Sequence, residues 1–314
     1  MSTILDHIGH TPLVRLRHIG HGLPVSILVK CEHLNPGGSV KDRIALAIVD
    51  DAERRNLLKP GATLIEATAG NTGMGLALVA AVRGYKLVCV LPEKMSVDKR
   101  AALTALGARV VITPNAPPDS PENFQNVARR LADEEGWFLT DQFRNPVNVR
   151  AHEETTGPEL LEQTGARIGA FVAGAGTGGT ITGVGRFLKR HVLNVQIVLA
   201  DPVGSGLARW AADGIVGPDA AYEVEGIGTS KPPAILDRSV IDSAESVSDT
   251  DSFAMVHRLV REEGLFVGGS AGTAVVVALR IAARDGITGP VVTLLPDSWD
   301  RYLSKPWMQP SRAV

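Results

Sequence analysis

Along most of the chain a short run of β-branched apolar residues is followed by a turn carrying glycine, an amphipathic stretch, and another apolar run. That alternation predicts parallel βαβ construction. The runs at 25–31, 63–67, 86–91, 109–113, 137–140, 170–174, 195–200 and 290–295 are the predicted strands. Most are apolar throughout rather than alternating, as expected of strands covered by helices on both faces. Helix signals fall between them. Ser39 and Asp42 have capping-box spacing ahead of a stripe at Ile44, Ala47, Ile48 and Ala52. Asn71 is placed to cap 72–83 before Gly84, Ser96 to begin a helix stopping at Gly107, Ser120 with Pro121 one stopping at Gly136, and Asp249 one stopping at Gly264. The segment 114–121 is a proline-rich loop. The expected organisation is a smaller α/β domain over 42–146 inserted into a larger one made of 1–41 and 147–314, with a ligand between the two.

Composition narrows the function. Lys plus Arg is 32 against 34 Asp plus Glu, a formal charge of -2. Such a surface has no strong attraction for nucleic acid or anionic membrane. With 44% apolar and 21% charged residues the chain is a folding one, and its 33 glycines in 314 residues exceed the average of roughly 7%. Cys31 and Cys89 both lie in apolar runs and read as small buried hydrophobes. No leader or membrane-length apolar run is present, so a cytoplasmic protein is expected.

The glycines gather where strands turn into helices. Gly174, Gly176 and Gly179 satisfy G-x-G-x-x-G, and Asp201 ends the next predicted strand, so an NAD-binding Rossmann oxidoreductase is one reading. Thr177, Gly178 and Thr180 add N–H groups and hydroxyls at one tight spot, which suits a single phosphate better. A close packing turn is the third reading. The turn 68–73, TAGNTG, offers a second ring of donors at a helix start, suited to a carboxylate; at 268–272, GGSAG, Ser270 is either a ligand or an N-cap. In 35–43, NPGGSVKDR, Lys41 falls in the first turn of a helix, where the dipole disfavours a cation and promotes loss of its proton. An unprotonated amine is the nucleophile that pyridoxal phosphate chemistry requires. His152-Glu153 opens like a zinc-protease helix, but HEETT has Thr where the second His is needed. Trp137, Trp210, Trp299 and Trp307 read as packing or subunit-contact residues.

In order, HIGHTPLVRL, NPGGSVKDR, TAGNTGMGLA, DQFRNPVNVRAHEETTGPE, GTGGTITGVGRFLK, EGIG, GGSAGT and LLPDSWDRYLSK resemble the motifs of the β-family of pyridoxal-phosphate enzymes that contains cysteine synthase and cystathionine β-synthase, from residue 7 to about 305. The resemblance implies fold type II, tryptophan synthase β-like: two α/β domains with open, mostly parallel sheets and pyridoxal 5'-phosphate in the cleft between them. It implies that Lys41 is the Schiff-base lysine and base, that Asn71 meets the cofactor's phenolic oxygen, and that Gly176, Thr177, Gly178, Gly179 and Thr180 cradle its phosphate. Ser270 would meet the pyridine nitrogen. Thr68, Ala69, Thr72, Gln142 and Gly226 would bind substrate. The implied reaction is β-replacement on serine or an O-activated serine through an aminoacrylate, with homocysteine (cystathionine β-synthase) or sulfide (cysteine synthase) as nucleophile, in a homodimer.

The chain departs from the pattern in places. Ala69 stands where the family more often has Ser, removing a hydroxyl. Phe143 follows cysteine synthase where animal and fungal cystathionine β-synthases have tyrosine, whereas EGIG and 296–303 lie closer to cystathionine β-synthase. Thr229 to Pro232 fit neither group, leaving Lys231 without an assigned role. Neither a haem-binding extension nor a C-terminal regulatory module is seen in the sequence, so neither control is expected.

Overall fold

The computed structural model describes residues 2–68, 70–93, 95 and 97–309. Among them ten strands form two sheets: β1 (Leu13–Arg15), β2 (Ile27–Lys30), β3 (Thr63–Ala67), β4 (Lys86–Pro92), β5 (Arg109–Thr113), β6 (Phe138–Leu139), β7 (Ala170–Gly174), β8 (Gln196–Pro202), β9 (Ser243–Val247) and β10 (Val291–Leu294). The chain divides into two compact units, 1–9 with 35–151, and 10–34 with 152–314. These boundaries differ from the expected 41/42 and 146/147: the glycine turn before Lys41 belongs with the smaller unit.

The smaller unit holds the sheet β5-β4-β3-β6, all parallel, with Ile65 opposite Val88. Its helices are α1 (Lys41–Arg54), α2 (Asn71–Arg83), α3 (Val97–Ala105), α4 (Phe124–Glu135) and α5 (Pro146–Ala151). Alternate strand residues serve opposite faces. Leu64, Leu87, Cys89 and Leu91 pack with Ala45, Val49, Leu76 and Leu103, while Ile65, Val88 and Val90 pack with Val127 and Ala128 of α4. Both faces are apolar, which is why the strands read as unbroken hydrophobic runs. α1 and α2 approach closely: a Cβ on Gly75 would lie 3.1 Å from the Lys41 carbonyl oxygen and 3.1 Å from Ala45 Cβ.

The larger unit holds β1-β2-β10-β7-β8-β9, with only the β1–β2 pair antiparallel. A π-helical turn at His152–Thr156 leads into α6 (Gly157–Thr164), followed by α7 (Gly179–His191), α8 (Leu207–Asp213), α9 (Asp249–Glu263) and α10 (Gly269–Ala282). Val172, Val198 and Val291 pack with Val275, Ala278 and Ile281 on one face; Phe171, Ile197 and Leu199 pack with Ile181, Leu188 and Leu207 on the other.

Every predicted strand is present. β1 and β9 were not foreseen: both are edge strands, and SAESV lacks an apolar run. Several caps need correcting. Ser39 and Asp42 do not form a capping box; the Ser39 hydroxyl accepts from Lys41 N–H (3.2 Å) and Asp42 accepts from Gly37 N–H (2.6 Å). Asn71 is the first residue of α2, after Gly70, rather than its cap. α4 is capped by Asn123, which accepts from Gln125 N–H at 3.0 Å, and Ser120 sits in the preceding turn. Ser248 caps α9, and the Asp249 carboxylate accepts instead from the N–H groups of Glu223 and Val224. Ser96 lies outside the described residues. The glycine stops at 84, 136 and 264 are left-handed C-caps as expected. Both cysteines are buried and free, their thiols pushed up to about 11 for Cys31 and about 12 for Cys89 by burial first, then by Glu32 and Glu66 respectively. The tryptophans pack in the expected way. Trp307 stacks on Phe253 with centroids 4.6 Å apart, and Trp299 meets Phe266 at 5.4 Å.

Candidate active site

In the smaller unit, the turn before α1 forces glycine. Gly38 has φ +78°, and a Cβ on Gly37 would lie 2.5 Å from the Asp42 carboxylate. This turn delivers half-buried Lys41 as the first residue of α1, the position inferred from the sequence. The neighbouring start of α2 carries half-buried Asn71 and buried Thr72. Gly70 leaves α2 without a side-chain cap, so its first N–H groups are not consumed by a capping side chain. Thr68 is buried and accepts from Gly70 N–H at 3.2 Å. Ala69 lies outside the described residues.

Thr72 donates its hydroxyl to Gln142 Oε1 at 2.6 Å, so the two residues implicated in carboxylate binding meet directly. Behind them lies fully buried Glu66, which sequence reasoning missed. Its carboxylate accepts from Gln142 N–H (3.1 Å), Ala67 N–H (3.0 Å), the Thr140 hydroxyl and, more loosely, Gln142 Nε2 (3.4 Å). Burial pushes Glu66 up to about 7, against the opposing pull of those donors. Phe143 follows in the same turn, half-buried.

In the larger unit, β7 runs through 174–178 into α7. Its glycines are required by close approach. A Cβ on Gly174 would meet Ile227 at 2.6 Å, one on Gly176 would meet the Gly226 oxygen at 2.2 Å, and Gly178, with φ +86°, would meet Leu236 at 2.6 Å. Gly228 N–H donates to the Ala175 oxygen at 2.9 Å, fixing EGIG along the loop. Packing therefore accounts for these glycines, and Gly178 gives the start of α7 no side-chain cap of its own; of the two flanking threonines, Thr177 accepts loosely from Gly179 N–H at 3.4 Å. That donor set suits an anion. Thr180 Oγ1 lies 3.1 Å from Nε2 of fully buried His152, whose Nδ1 lies 2.9 Å from Thr156 Oγ1. His152 is thus engaged by two hydroxyls. The sequence offered His152 only as a failed metal motif, so its contact with Thr180 was not foreseen.

Asp201 counts against the dinucleotide reading. It is fully buried and accepts from Ala208 N–H at 2.8 Å in the first turn of α8, with burial pushing it up to about 6. A carboxylate spent on a helix start is not presented to a ribose. Ser270 is the second residue of α10, buried, and Gly268 occupies the cap position, so the N-cap alternative for Ser270 falls. Gly226 is exposed with φ +86°; Lys231 is exposed, and its N–H donates to Thr229 Oγ1 at 3.2 Å. Lys41, Asn71, Thr68, Thr72 and Gln142 lie in one unit, and 176–180, Gly226 and Ser270 in the other.

Residues 4–297 match the pyridoxal-phosphate dependent enzyme family. The chain is 49% identical to cystathionine β-synthase of Oryctolagus cuniculus over 97% of its own length and 56% of that protein, so it spans about half the length of such relatives. It is 43% identical to cysteine synthase of Staphylococcus aureus, covering 98% of this chain and 96% of that one. Among solved structures, O-ureido-L-serine synthase superposes with a TM-score of 0.90 at 40% identity, covering 100% and 97% of the two chains. An O-acetylserine-dependent cystathionine β-synthase from Helicobacter pylori gives 0.89 at 37%, covering 98% and 99%. These proteins share the tryptophan synthase β-like fold, and this chain has it too. The donors found here fit the family's cofactor: an uncapped helix start flanked by hydroxyls for its phosphate, and a lysine in a helix's first turn for its aldehyde. Fold, matched length and fit agree, and the chain belongs to the pyridoxal-phosphate-dependent enzyme family, with pyridoxal 5'-phosphate as its cofactor.

Proposed function

We propose that this enzyme performs β-replacement on an O-activated serine, with homocysteine as the nucleophile, so that cystathionine is the product. The observation that carries the reaction class is the pairing, within one unit, of Lys41 at the start of α1 with the Thr72–Gln142 hydrogen bond at the adjoining start of α2. A lysine alone would be a solvated helix residue. Beside a built carboxylate site it is a base aimed at an amino acid.

Pyridoxal phosphate, when bound, supplies the electron sink that makes a Cα proton acidic. Lys41 would hold the cofactor by its aldehyde and, once the substrate's amine had displaced it and freed its own, would be the base that takes the Cα proton and can return it after the nucleophile has added. Thr68, Thr72, Gln142 and the first N–H groups of α2 hold the substrate carboxylate and so fix which Cα bond faces Lys41; the resemblance adds Ala69 to this set. Asn71 donates to the phenolic oxygen. Gly176 through Thr180 hold the phosphate, and His152 holds the Thr180 hydroxyl in place. Ser270 offers the ring nitrogen a neutral hydroxyl, which does not keep a proton there as a carboxylate would; loss of the Cβ group is favoured over transamination. Gly226 lines the substrate's path. A homodimer in the cytoplasm is part of this proposal and rests on the family resemblance alone. Among the described residues no helix is long and apolar enough to cross a membrane.

Phe143 supports the choice of donor. Expelling hydroxide from serine needs a proton in the transition state, and a phenylalanine beside Gln142 supplies none. Acetate leaves without full protonation, so O-acetylserine is preferred over serine. Homocysteine is preferred as acceptor on the strength of the EGIG and 296–303 segments; sulfide is the second reading, favoured by the near-complete mutual coverage with cysteine synthase. An O-ureidoserine product from hydroxyurea is a third, favoured by the 0.90 superposition. Offering serine and O-acetylserine, each with homocysteine, sulfide or hydroxyurea, and ranking kcat/KM tests all three. The highest value for O-acetylserine with homocysteine supports the assignment; a higher value with sulfide or hydroxyurea replaces the acceptor, and a higher value with serine removes the leaving-group argument.

A further inference from the structure

We infer that Glu66 is a positioning residue for substrate binding: its buried carboxylate selects the orientation of the Gln142 side-chain amide and thereby aims an N–H group at the substrate carboxylate. The inference rests on the proposed role of Thr72 and Gln142. Rotating the Gln142 amide by half a turn exchanges its oxygen and its NH2 at almost no cost in shape, so shape alone does not decide which end faces which partner. Two contacts decide it. The Thr72 hydroxyl lies 2.6 Å from one end and the Glu66 carboxylate 3.4 Å from the other. A hydroxyl tolerates either end, because it can donate or accept. Above about pH 7, where Glu66 is mostly ionised, its carboxylate accepts only, so it repels the oxygen and holds the NH2; protonated, it could donate to the oxygen and the selection would lapse.

With that end held, one amide hydrogen faces Glu66, and the second has no acceptor among the described residues. The second hydrogen is the one available to a ligand's carboxylate. Glu66 also accepts from the Gln142 backbone N–H, and Gln142 is further tied by Asn148, whose Nδ2 donates to the Gln142 oxygen at 2.8 Å. The backbone is therefore fixed from both sides, and the amide rotation is the remaining freedom. The titratable neighbours acting on Glu66 are Asp141 and, on β4, Cys89; neither is a cation that would explain a buried carboxylate as half of an ion pair. A purely structural brace between β3 and residues 140–142 would need only the backbone and Thr140 contacts.

The test is a double-substitution cycle in the holoenzyme at about pH 8, where Glu66 is ionised, titrating O-acetylserine and L-serine separately and following the change in cofactor absorbance to obtain donor Kd. Glu66→Gln keeps volume and hydrogen bonding but accepts or donates at either end of the amide. It is expected to raise donor Kd about three- to tenfold, the value of one hydrogen bond, with cofactor affinity and the KM for the thiol unchanged. Glu66→Asp, which keeps the charge but withdraws it from Gln142, is expected to move donor Kd the same way and serves if the first variant does not fold. In a Gln142→Ala background either substitution should add less than about twofold, because the amide it orients is gone. An undiminished effect in that background, or unchanged donor Kd in both Glu66 variants while Gln142→Ala is impaired, overturns the role of Glu66 alone. Unchanged donor Kd in Gln142→Ala overturns the carboxylate-site reading and this inference with it.

Discussion

A cation in the first turn of a helix works against the helix dipole, and Lys41 occupies that place because Gly37 and Gly38 turn the chain into α1 there. Lys41→Ala should abolish the visible absorbance that borohydride bleaches in the wild type and lower turnover by at least the 10² to 10⁴ typical of a lost base, roughly, as read by initial rates. Thr180→Val should weaken cofactor retention by about 1.5–3 kcal/mol, the value of a hydrogen bond to a charged group, measured by equilibrium dialysis. His152→Ala should follow in the same direction and more weakly, since it removes the partner of that hydroxyl rather than the hydroxyl. Lys41 and the 176–180 loop were conspicuous in the sequence because each breaks an ordinary rule, a cation or a run of glycines at a helix start, whereas Asn71 reads there as a cap and owes its cofactor role to the resemblance alone. Glu66 and His152 were not conspicuous. A single Glu in TLIEA reads as a solvated strand position, and its partners come from residues 140 and 142, a contact visible only once β3 and β6 are side by side.

Elements repeat the lesson at a coarser grain. Strands covered on both faces announce themselves as apolar runs, which is why β3, β5 and β7 were read with their observed bounds. β1 and β9 sit at sheet edges, where half the surface is not buried and the apolar signal lapses. Helix starts were harder to place than helix stops. A left-handed C-cap admits glycine and little else, whereas Ser120 and Asn123, or Ser248 and Asp249, are chemically equivalent caps until the backbone chooses. Asn123→Ala should therefore cost about 1 kcal/mol of stability in chemical denaturation with the cofactor site intact, while Ser120→Ala costs little. Gly176→Ala places a Cβ against the Gly226 oxygen, so it should lower both the melting temperature and cofactor affinity by displacing the loop from EGIG.

For the molecule as a whole, the buried carboxyls give stability a defined pH dependence. Burial raises Glu66 from its ordinary 4.5 to about 7, so between those values the folded state binds more protons than the unfolded one. Stability from this group is thus greatest below about 4.5, falls as pH rises toward 7 and is flat above, a loss on the order of 3 kcal/mol. The melting temperature of Glu66→Gln, relative to wild type, should rise across that window; a difference independent of pH would place the proton elsewhere. The order of strands adds a constraint in time. β10, at residues 291–294, lies between β2 and β7 and is the piece that joins them, whereas the smaller unit's sheet uses only residues 63–139. During synthesis the smaller sheet can close while the larger one waits in two fragments, β1–β2 and β7–β8–β9, for β10, the last of the ten described strands to be made. A nascent chain stalled before residue 290 would leave the edges of β2 and β7 unpaired, open to chaperones and to other nascent chains, however well its smaller unit had formed.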